Sequence, residues 1–295
     1  MDVPVEVLVR PLAEADVERA AQVQIETFEE HDRRYDRPVS ALNPDRLEQQ
    51  QRRVRHFLTH DPDGAWVAEV DGQVAGVALA LKRARLWGLS LLVVDPSVQS
   101  SGIGRRLLDA ALSYADPGGV GVIQSSSDPR AMHRYASAGF DLHPQVDAKG
   151  TVAATRLRTP ELPVRDGTPS DFALADEVDE VVRGAPRGPD HELLASVGPM
   201  FVVDSGANRG YAHLRGGRVL TIAATDDATA SALLWRSLAH ARELGEEAQV
   251  QHIAGNQQWA VQTAVQAGLS LAPSGPAFWR GCLPPAAYLP SGAYL

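Results

Sequence analysis

The residues with the clearest chemical potential form a short loop between an apolar segment and an amphipathic one. The apolar segment ends at Val94, and Asp95 and Pro96 begin a turn. Gly102 and Gly104 then precede a run in which apolar residues recur with helical spacing. This order predicts a buried strand, a turn and a helix start, whose unpaired N–H groups and partial positive charge bind phosphate groups. Glycine in such a loop lets a ligand approach the backbone closely, because no Cβ intervenes.

Two basic residues, Arg105 and Arg106, follow the second glycine and favour an anionic ligand. The loop differs from the two common phosphate-binding patterns. It lacks the lysine of the P-loop, and Leu107 stands where the dinucleotide-binding pattern has its third glycine.

Gln99, Gly102 and Gly104 fill the Q/R-x-x-G-x-G/A pattern, and here the chain resembles the GNAT N-acetyltransferase superfamily. The resemblance implies that acetyl-CoA is the acyl donor. In that family the loop amides hold its pyrophosphate, and the preceding strand pairs with its pantetheine arm. The coenzyme contacts that the resemblance implies are Leu92, Val93, Val94, Gln99, Ser100, Ser101, Gly102, Ile103, Gly104 and Arg105.

A second segment of the family pattern follows at residues 128–140. Ala131, Tyr135, Gly139 and Phe140 match the helix pattern N-x-x-A-x-x-x-Y-x-x-x-G-F, and Asp128 replaces its asparagine. The resemblance implies that Asp128 contacts the coenzyme and that Tyr135 is the general acid for the departing thiolate. The alternative for Tyr135 is a helix tyrosine that only packs against the sheet.

The sequence also contains a weak internal repeat. Arg10 and Asp16 near the start recur as Arg165 and Asp171 with the same spacing. Strands, turns and an amphipathic helix follow each pair in the same order, with a proline-rich break near residue 160. We therefore predict two tandem domains, residues 1–159 and 160–295. The resemblance implies that the fold class is α/β (α+β) and that each domain is a mixed, mostly antiparallel twisted sheet flanked by helices, similar to the tandem-GNAT arrangement of mycothiol synthase-like proteins.

The second repeat lacks the glycine loop. Asp226 and Asp227 stand at the equivalent position and place negative charge where a pyrophosphate would bind. We therefore expect the second domain to keep the fold without binding coenzyme, and the active site to lie in the first.

The acceptor site and the general base have weaker signals. Glu26, Glu30 and His31 lie where the family's first helices shape the acceptor site, and an acidic rim would favour a cationic amine. The alternative is a solvated charged helix face. The apolar tail from Pro276 to Leu295 is expected to pack on the domain interface, where the Leu295 carboxylate is a candidate catalytic base. Simple packing is the alternative for the tail.

Composition excludes several classes of function. The 295 residues include 28 Lys+Arg and 37 Asp+Glu, and the net charge of −9 disfavours nucleic acid and anionic membranes as partners. No secretion signal or apolar run of about 20 residues is visible, and no metal-site spacing was found. These features predict a cytoplasmic protein, which is a monomer or a homodimer. The resemblance implies that it acetylates a small-molecule or peptide amine. An acyl-CoA-binding sensor without turnover and a structural protein with a vestigial site are the alternatives.

Overall fold

The computed structural model describes residues 7–34, 44–99 and 102–295, which fall into two units. The first unit is Met1–Lys82 with Trp87–Pro117, and the second is Arg83–Leu86 with Gly118–Leu295. The division that we predict between residues 159 and 160 follows the sequence repeat and stays a prediction.

The first unit consists of four sequential strands and three helices. Its elements are β1 (Val7–Pro11), α1 (Val17–Arg34), α2 (Pro44–His60), β2 (Ala65–Val70), β3 (Gln73–Arg83), β4 (Leu86–Val94) and α3 (Ile103–Leu112). The strands lie in the order β1-β2-β3-β4, and the first three are antiparallel. Strand β3 is buried along almost its whole length, which is typical of a strand covered on both faces. Helix α3 buries the apolar face that its spacing predicts.

The second unit is larger and contains the remaining elements. These are β5 (Val120–Gln124), α4 (Pro129–Ser137), β6 (Asp141–His143), β7 (Gln145–Gly150), β8 (Arg165–Asp166), α5 (Phe172–Arg183), α6 (Asp190–Ala195), β9 (Met200–Ser205), β10 (Asn208–Arg215), β11 (Arg218–Ala224), α7 (Asp227–Glu243), β12 (Ala248–Ala254), α8 (Gln258–Ala267), β13 (Ser270–Pro273), β14 (Ala277–Arg280) and β15 (Tyr288–Leu289). An eight-stranded sheet runs β13-β7-β12-β11-β10-β9-β8, with β15 paired to β11.

The sheets are mixed and mostly antiparallel, as the sequence predicts. Strands β11 and β12 are parallel, whereas the other pairs of the eight-stranded sheet are antiparallel. Leu233 and Leu234 of α7 pack with Ile222 and Val250 in the main core of this unit. The fold class is therefore confirmed. Within the described ranges, no helix has the length and apolar character that crossing a bilayer requires.

Two strands lie away from their sequence neighbours. Strand β14, which follows β13 in the chain, pairs with β5 on one side and β6 on the other. Strand β7 follows β6 directly but pairs with β12 and β13 instead. Strand β14, from after residue 160, thus lies between two strands from before it, β5 and β6. In exchange, β7, from before residue 160, lies between two strands from after it, β12 and β13. No local sequence pattern predicts this exchange.

The internal repeat extends to matching side-chain contacts within each unit. Arg10 makes two hydrogen bonds to the Asp16 carboxylate, of 2.7 and 2.8 Å, and Arg165 makes two to Asp171, of 2.9 and 2.6 Å. Each carboxylate also accepts a main-chain N–H from three residues earlier, at 2.8 Å in both repeats. The Arg165 guanidinium is the main cause that lowers the pKa of Asp171 to about 2.

The Asp171→Asn variant tests the energetic value of this pair. We expect the free energy of unfolding to fall by about 1–2 kcal/mol, because bidentate charge-assisted hydrogen bonds are lost while the half-exposed Arg165 stays solvated. Urea denaturation at pH 7 measures the loss. The exposed neighbour supplies the control, since Asp166→Asn should change stability by less than about 0.5 kcal/mol. Equal effects of the two variants would contradict a stabilising role for the Asp171 pair.

Candidate functional site

Strand β4 leads directly into the glycine loop. Leu92 and Val94 are partly exposed, whereas their neighbours along the strand are buried. Asp95 then turns the chain, because its carboxylate accepts hydrogen bonds from the main-chain N–H and the hydroxyl of Ser97, at 2.9 and 2.7 Å. The main-chain N–H of Asp95 donates to the Ala75 carbonyl at 2.8 Å, which fixes the end of the strand.

The loop closes back on the end of the strand. The side-chain amide of Gln99 donates to the Val94 carbonyl at 3.0 Å. Ser100 and Ser101 lie outside the described residues. Gly102 follows with φ of 80°, in the left-handed region that favours glycine. The backbone conformation at position 102 therefore explains why a glycine stands there.

Helix α3 begins immediately after Gly102. The main-chain N–H groups of Arg105 and Arg106 both donate to the Gly102 carbonyl, at 3.1 and 3.2 Å. The N–H groups of Ile103 and Gly104 come before this first turn and have no acceptor within the helix. A helix terminus of this kind carries partial positive charge and suits an anion. The Arg105 side chain is 84% exposed beside it.

Tyr135 lies on α4 and is buried. Its ring contacts Phe278 of the exchanged strand β14 edge to face, with 5.5 Å between the ring centroids. Burial is the main cause that raises the pKa of Tyr135 to about 12. The phenol therefore keeps its proton at neutral pH, which a general acid requires.

Asp128 is the N-cap residue of the same helix, and its carboxylate already binds other groups of the protein. Its carboxylate accepts the main-chain N–H of Arg130 at 2.8 Å as an N-cap, and it pairs with the Arg130 guanidinium at 2.6 Å. The coenzyme contact that the resemblance implies for Asp128 stays a prediction.

The acidic residues of α1 pair with arginines of the same helix. Glu26 lies 3.0 Å from the Arg19 guanidinium, and Glu30 lies 3.3 Å from that of Arg33. His31 is partly buried on this helix. These pairs match the charged-helix alternative, and the substrate-binding role of Glu26, Glu30 and His31 stays a prediction.

Leu295 is buried in the second unit, where arginines hold its main chain. Its oxygen accepts a hydrogen bond from Arg187 Nη1 at 2.9 Å and another from Arg183. Arg187 Nη1 also donates to the Tyr294 carbonyl at 2.8 Å, and its Nη2 donates to the Tyr288 hydroxyl at 2.9 Å. The role of Leu295 as a base stays a prediction, and the contacts that the structure gives it are those of an anchored segment.

The same arginine connects the tail to a buried carboxylate. Arg187 and Asp179 are both fully buried, with 3.3 Å between Nε and Oδ2. Tyr211 donates its hydroxyl to that oxygen at 2.7 Å. Burial raises the pKa of Asp179, and the positive charges of Arg187 and Arg183 oppose this. No sequence pattern predicts the network, because its members are separated in sequence and belong to no motif.

A histidine pair continues the network. His191 Nδ1 lies 3.2 Å from His213 Nε2, and His191 Nε2 lies 3.4 Å from Asp176 Oδ1. Asp176, Asp179 and His191 are metal-ligand residue types whose ligand atoms lie within 4.8 Å of one another. The Asp176 oxygen already accepts the main-chain N–H of Arg187, and the Arg187 guanidinium already supplies positive charge to Asp179. These contacts give Asp176 and Asp179 protein partners, but Asp179 Oδ1, His191 Nε2 and His213 Nδ1 are buried without a hydrogen-bond partner.

Buried imidazoles make the stability of the second unit sensitive to acid. Burial lowers the pKa of His191 to about 2, of His213 to about 3 and of His252 to about 4. The unfolded chain binds protons at these histidines near pH 6.5, whereas the folded chain does not. Their contribution is therefore complete above pH 6.5 and declines below it, by about 1.4 kcal/mol per pH unit for each imidazole. The raised pKa of Asp179 acts in the opposite direction.

We expect the free energy of unfolding to fall by several kcal/mol between pH 7.5 and pH 5. Urea denaturation at both pH values measures the change. The His213→Gln variant should show a smaller pH dependence than the wild type, because one buried imidazole no longer titrates. The exposed His133 provides the control, and His133→Gln should keep the full dependence. A wild-type curve that is flat between pH 7.5 and pH 5 would contradict the expectation.

In the second repeat, a carboxylate caps the helix start that corresponds to the glycine loop. Asp226 is the N-cap of α7 and accepts the main-chain N–H of Thr229 at 2.8 Å and the Asn208 side-chain amide at 3.0 Å. Burial alone would raise the pKa of Asp226, but these hydrogen bonds outweigh burial and lower it. A negative charge thus occupies the helix start at which an anion would otherwise bind.

The tail lies along the neighbouring strand of the same repeat. Leu289 of β15 pairs with Ile222 of β11. Side chains near α8 hold the preceding segment, since Gln257 donates to the Pro285 carbonyl at 3.0 Å and Trp259 to the Ala286 carbonyl at 2.8 Å. The chain's own backbone therefore pairs with the end of β11 in the second repeat.

The sequence of the first repeat matches a known family model. Residues 37–156 match the model of an acetyltransferase (GNAT) domain. The matched range includes the glycine loop and Tyr135, and it confirms the resemblance on which the sequence analysis relied. No curated relative matches the sequence.

Solved structures share the GNAT fold over nearly the whole chain. A proposed acetyltransferase from Pyrococcus horikoshii has a TM-score of 0.69 at 16% identity, covering 98% of this chain and 95% of its own. A GCN5-related N-acetyltransferase from Sphaerobacter thermophilus has 0.57 at 17%, covering 93% and 95%. A tandem GNAT protein from the clavulanic acid biosynthesis pathway has 0.56 at 14%, covering 93% and 98%. These similarities show a shared fold and include a tandem arrangement.

Proposed function

We propose that the protein is an acetyl-CoA-dependent N-acetyltransferase, with an active site that belongs to the first repeat and a primary amine as acceptor. The observation that carries the proposal is the loop between β4 and α3. Gly102 has a positive φ, and the N–H groups of Ile103 and Gly104 lack acceptors within the helix. These features fit the pyrophosphate of a coenzyme A thioester at the helix start.

The second repeat supports the choice of the first. Its equivalent helix start is capped by Asp226, and its β11 strand already pairs with the tail through β15. An incoming pyrophosphate would meet a carboxylate there instead of free N–H groups. We therefore propose one coenzyme site for each chain.

Each residue of the proposed site has one chemical task. Acetyl-CoA supplies the activated acetyl group when it is bound. Ile103 and Gly104 donate main-chain hydrogen bonds to its phosphates, with Arg105 adding positive charge. A main-chain N–H near Val94 polarises the reacting carbonyl. Tyr135 holds a proton on its phenol for the thiolate that leaves as the neutral amine attacks.

Calorimetry and a thiol-release assay test the proposal. Wild-type protein should bind one acetyl-CoA and release free thiol with at least one amine of an acceptor panel. Gly104→Leu should bind none measurably, because its side chain would crowd the helix start. The control is Gly255→Ala, where an added Cβ meets nothing within 4 Å. Absence of binding would refute the proposal, and binding without thiol release for any amine would favour the sensor.

A further inference from the structure

Two carboxylates and an imidazole come together where α5 meets α6. Asp176 and Asp179 lie three residues apart on α5, and His191 is the second residue of α6. One nitrogen or oxygen atom from each of the three lies within 4.8 Å of the others. The side chains of Asp179 and His191 are fully buried, whereas that of Asp176 is 32% exposed. This aspartate–histidine cluster is therefore enclosed by the protein and reaches solvent at Asp176.

The His191 imidazole is held in place by an aromatic ring and by a second histidine. It stacks on Phe172, with 5.4 Å between the ring centroids and 15° between the ring planes. Its Nδ1 lies 3.2 Å from His213 Nε2, so one of the two rings donates a hydrogen bond to the other. These contacts direct His191 Nε2 to the carboxylates, 3.4 Å from Asp176 Oδ1 and 3.8 Å from Asp179 Oδ2.

His191 Nε2 has no hydrogen-bond partner among the described residues, although it is buried beside two carboxylates. Burial lowers the pKa of His191 to about 2, so the ring is neutral at pH 7. A neutral ring presents to the aspartates either a lone pair, which their negative charge repels, or an N–H group that here makes no hydrogen bond. A cation between the three groups removes both costs, because it binds the lone pair and the carboxylate oxygens together.

Each carboxylate uses one oxygen for protein contacts and leaves the other for a ligand. Asp176 Oδ1 accepts the main-chain N–H groups of Arg187 and Gly188, at 2.8 and 2.7 Å. Asp179 Oδ2 accepts the Tyr211 hydroxyl at 2.7 Å, and Asp179 Oδ1 is buried with no partner in the part of the chain that the structure describes. The protein contacts thus orient both carboxylates, as outer contacts do at metal sites.

The spacing of these groups suits a small divalent ion such as Zn²⁺. Zinc binds imidazole nitrogen and carboxylate oxygen at about 2.0–2.2 Å, so two ligands of a tetrahedral site lie about 3.3–3.6 Å apart. The distances of 3.4 and 3.8 Å from His191 Nε2 to the two carboxylates are close to this spacing. Three protein ligands leave a fourth position for water, and the partly exposed Asp176 gives solvent access to it.

The charges around the cluster also permit a divalent ion. The two carboxylates balance its charge, although the Arg187 Nε atom lies 3.3 Å from Asp179 Oδ2. Another nitrogen of this guanidinium binds the main-chain oxygens of Tyr294 and Leu295, at 2.8 and 2.9 Å, and Arg183 binds Leu295 as well. The positive charge of Arg187 is therefore shared with the tail and does not neutralise Asp179 alone.

We propose that Asp176, Asp179 and His191 form a binding site for a divalent transition-metal ion. A bound ion joins α5 to α6 and completes the contacts of the buried Asp179 Oδ1 and His191 Nε2 atoms. The inference does not rest on the proposed function, because all three residues belong to the second unit and none has a task in the proposed acetyl transfer.

Metal titration of the full chain, after treatment with a chelator, tests the proposal. Calorimetry should show one Zn²⁺ for each chain, and Co²⁺ in its place should give the visible absorption of a four-coordinate ion. Asp176→Asn should weaken Zn²⁺ binding by about 10-fold or more, since even the loss of an outer contact costs about that much. This variant should fold, because the asparagine oxygen still accepts the two main-chain N–H groups.

A neighbouring acidic residue provides the matched control. Glu177 lies on the same helix with an exposed side chain that pairs with Arg209, and Glu177→Gln should bind Zn²⁺ as the wild type does. Zn²⁺ at 100 times its wild-type Kd should raise the free energy of unfolding by about 2.7 kcal/mol in the wild type and by about 1.4 kcal/mol or less in Asp176→Asn.

The imidazole resonances locate the bound ion. Those of His191 and His213, assigned with His191→Gln and His213→Gln variants, should shift when Zn²⁺ is added, and that of the exposed His133 should not. No Zn²⁺ binding by the wild type would overturn the proposal. Equal affinity in Asp176→Asn, or shifts confined to other histidines, would assign the ion to an adventitious surface site and overturn it as well.

Discussion

Replacing Tyr135 with phenylalanine is expected to lower kcat by about 100-fold and to leave the affinity for acetyl-CoA within about twofold. The substitution removes only the hydroxyl, so the ring can keep its edge-to-face contact with Phe278. The loss is large because the buried phenol, with a pKa of about 12, is the proposed proton source for the thiolate. Steady-state thiol release and calorimetry measure the two quantities on the same preparation.

A second tyrosine provides the control. Tyr114 belongs to the other unit and donates its hydroxyl to Asp61 at 3.3 Å. Tyr114→Phe should leave kcat within about twofold of the wild type. If Tyr135→Phe also retains wild-type kcat, Tyr135 only packs against the sheet, and the proton must come from another group.

The second large effect concerns stability, at Arg187. Arg187→Met is expected to lower the free energy of unfolding by about 3–5 kcal/mol, because it leaves the buried Asp179 without its counter-charge. The variant also removes donors to the Tyr288 hydroxyl and to the main chain of Leu295. Urea denaturation followed by circular dichroism measures the change.

Two further variants show whether the cause is the unpaired charge. Arg209 pairs with Glu177 at 2.8 Å at a partly exposed site, and Arg209→Met should cost less than about 1 kcal/mol. The double variant Arg187→Met/Asp179→Leu should be more stable than Arg187→Met alone, because no buried charge remains unpaired. A double variant less stable than the single one would assign the effect to lost packing and tail contacts instead.

The order of elements could be read from the sequence because local patterns determine it. The apolar segment that ends at Val94 predicted β4, and helical spacing after Gly102 predicted α3. The sequence repeat identified Arg10 and Asp16 as equivalent to Arg165 and Asp171, and in the structure the two pairs make the same contacts. In these cases the residues that specify the structure lie within one or two turns of each other.

Features that depend on distant partners could not be read in the same way. The place of β14 between β5 and β6 depends on edges that are far away in the sequence. Likewise, Arg187, Asp179 and Tyr211 give no periodic or motif signal, and only the fold reveals that they are fully buried together.

The strand exchange has a consequence for biosynthesis. A nascent chain usually folds from its N-terminal end while the ribosome is still translating the remainder. Here β5 and β6 emerge early, but the strand that joins them, β14, is translated only after β7 to β13. The edges of β5 and β6 that pair with β14 must therefore wait while more than 130 further residues are translated. Gene fragments cut near codon 160 would encode strands that lack their partners.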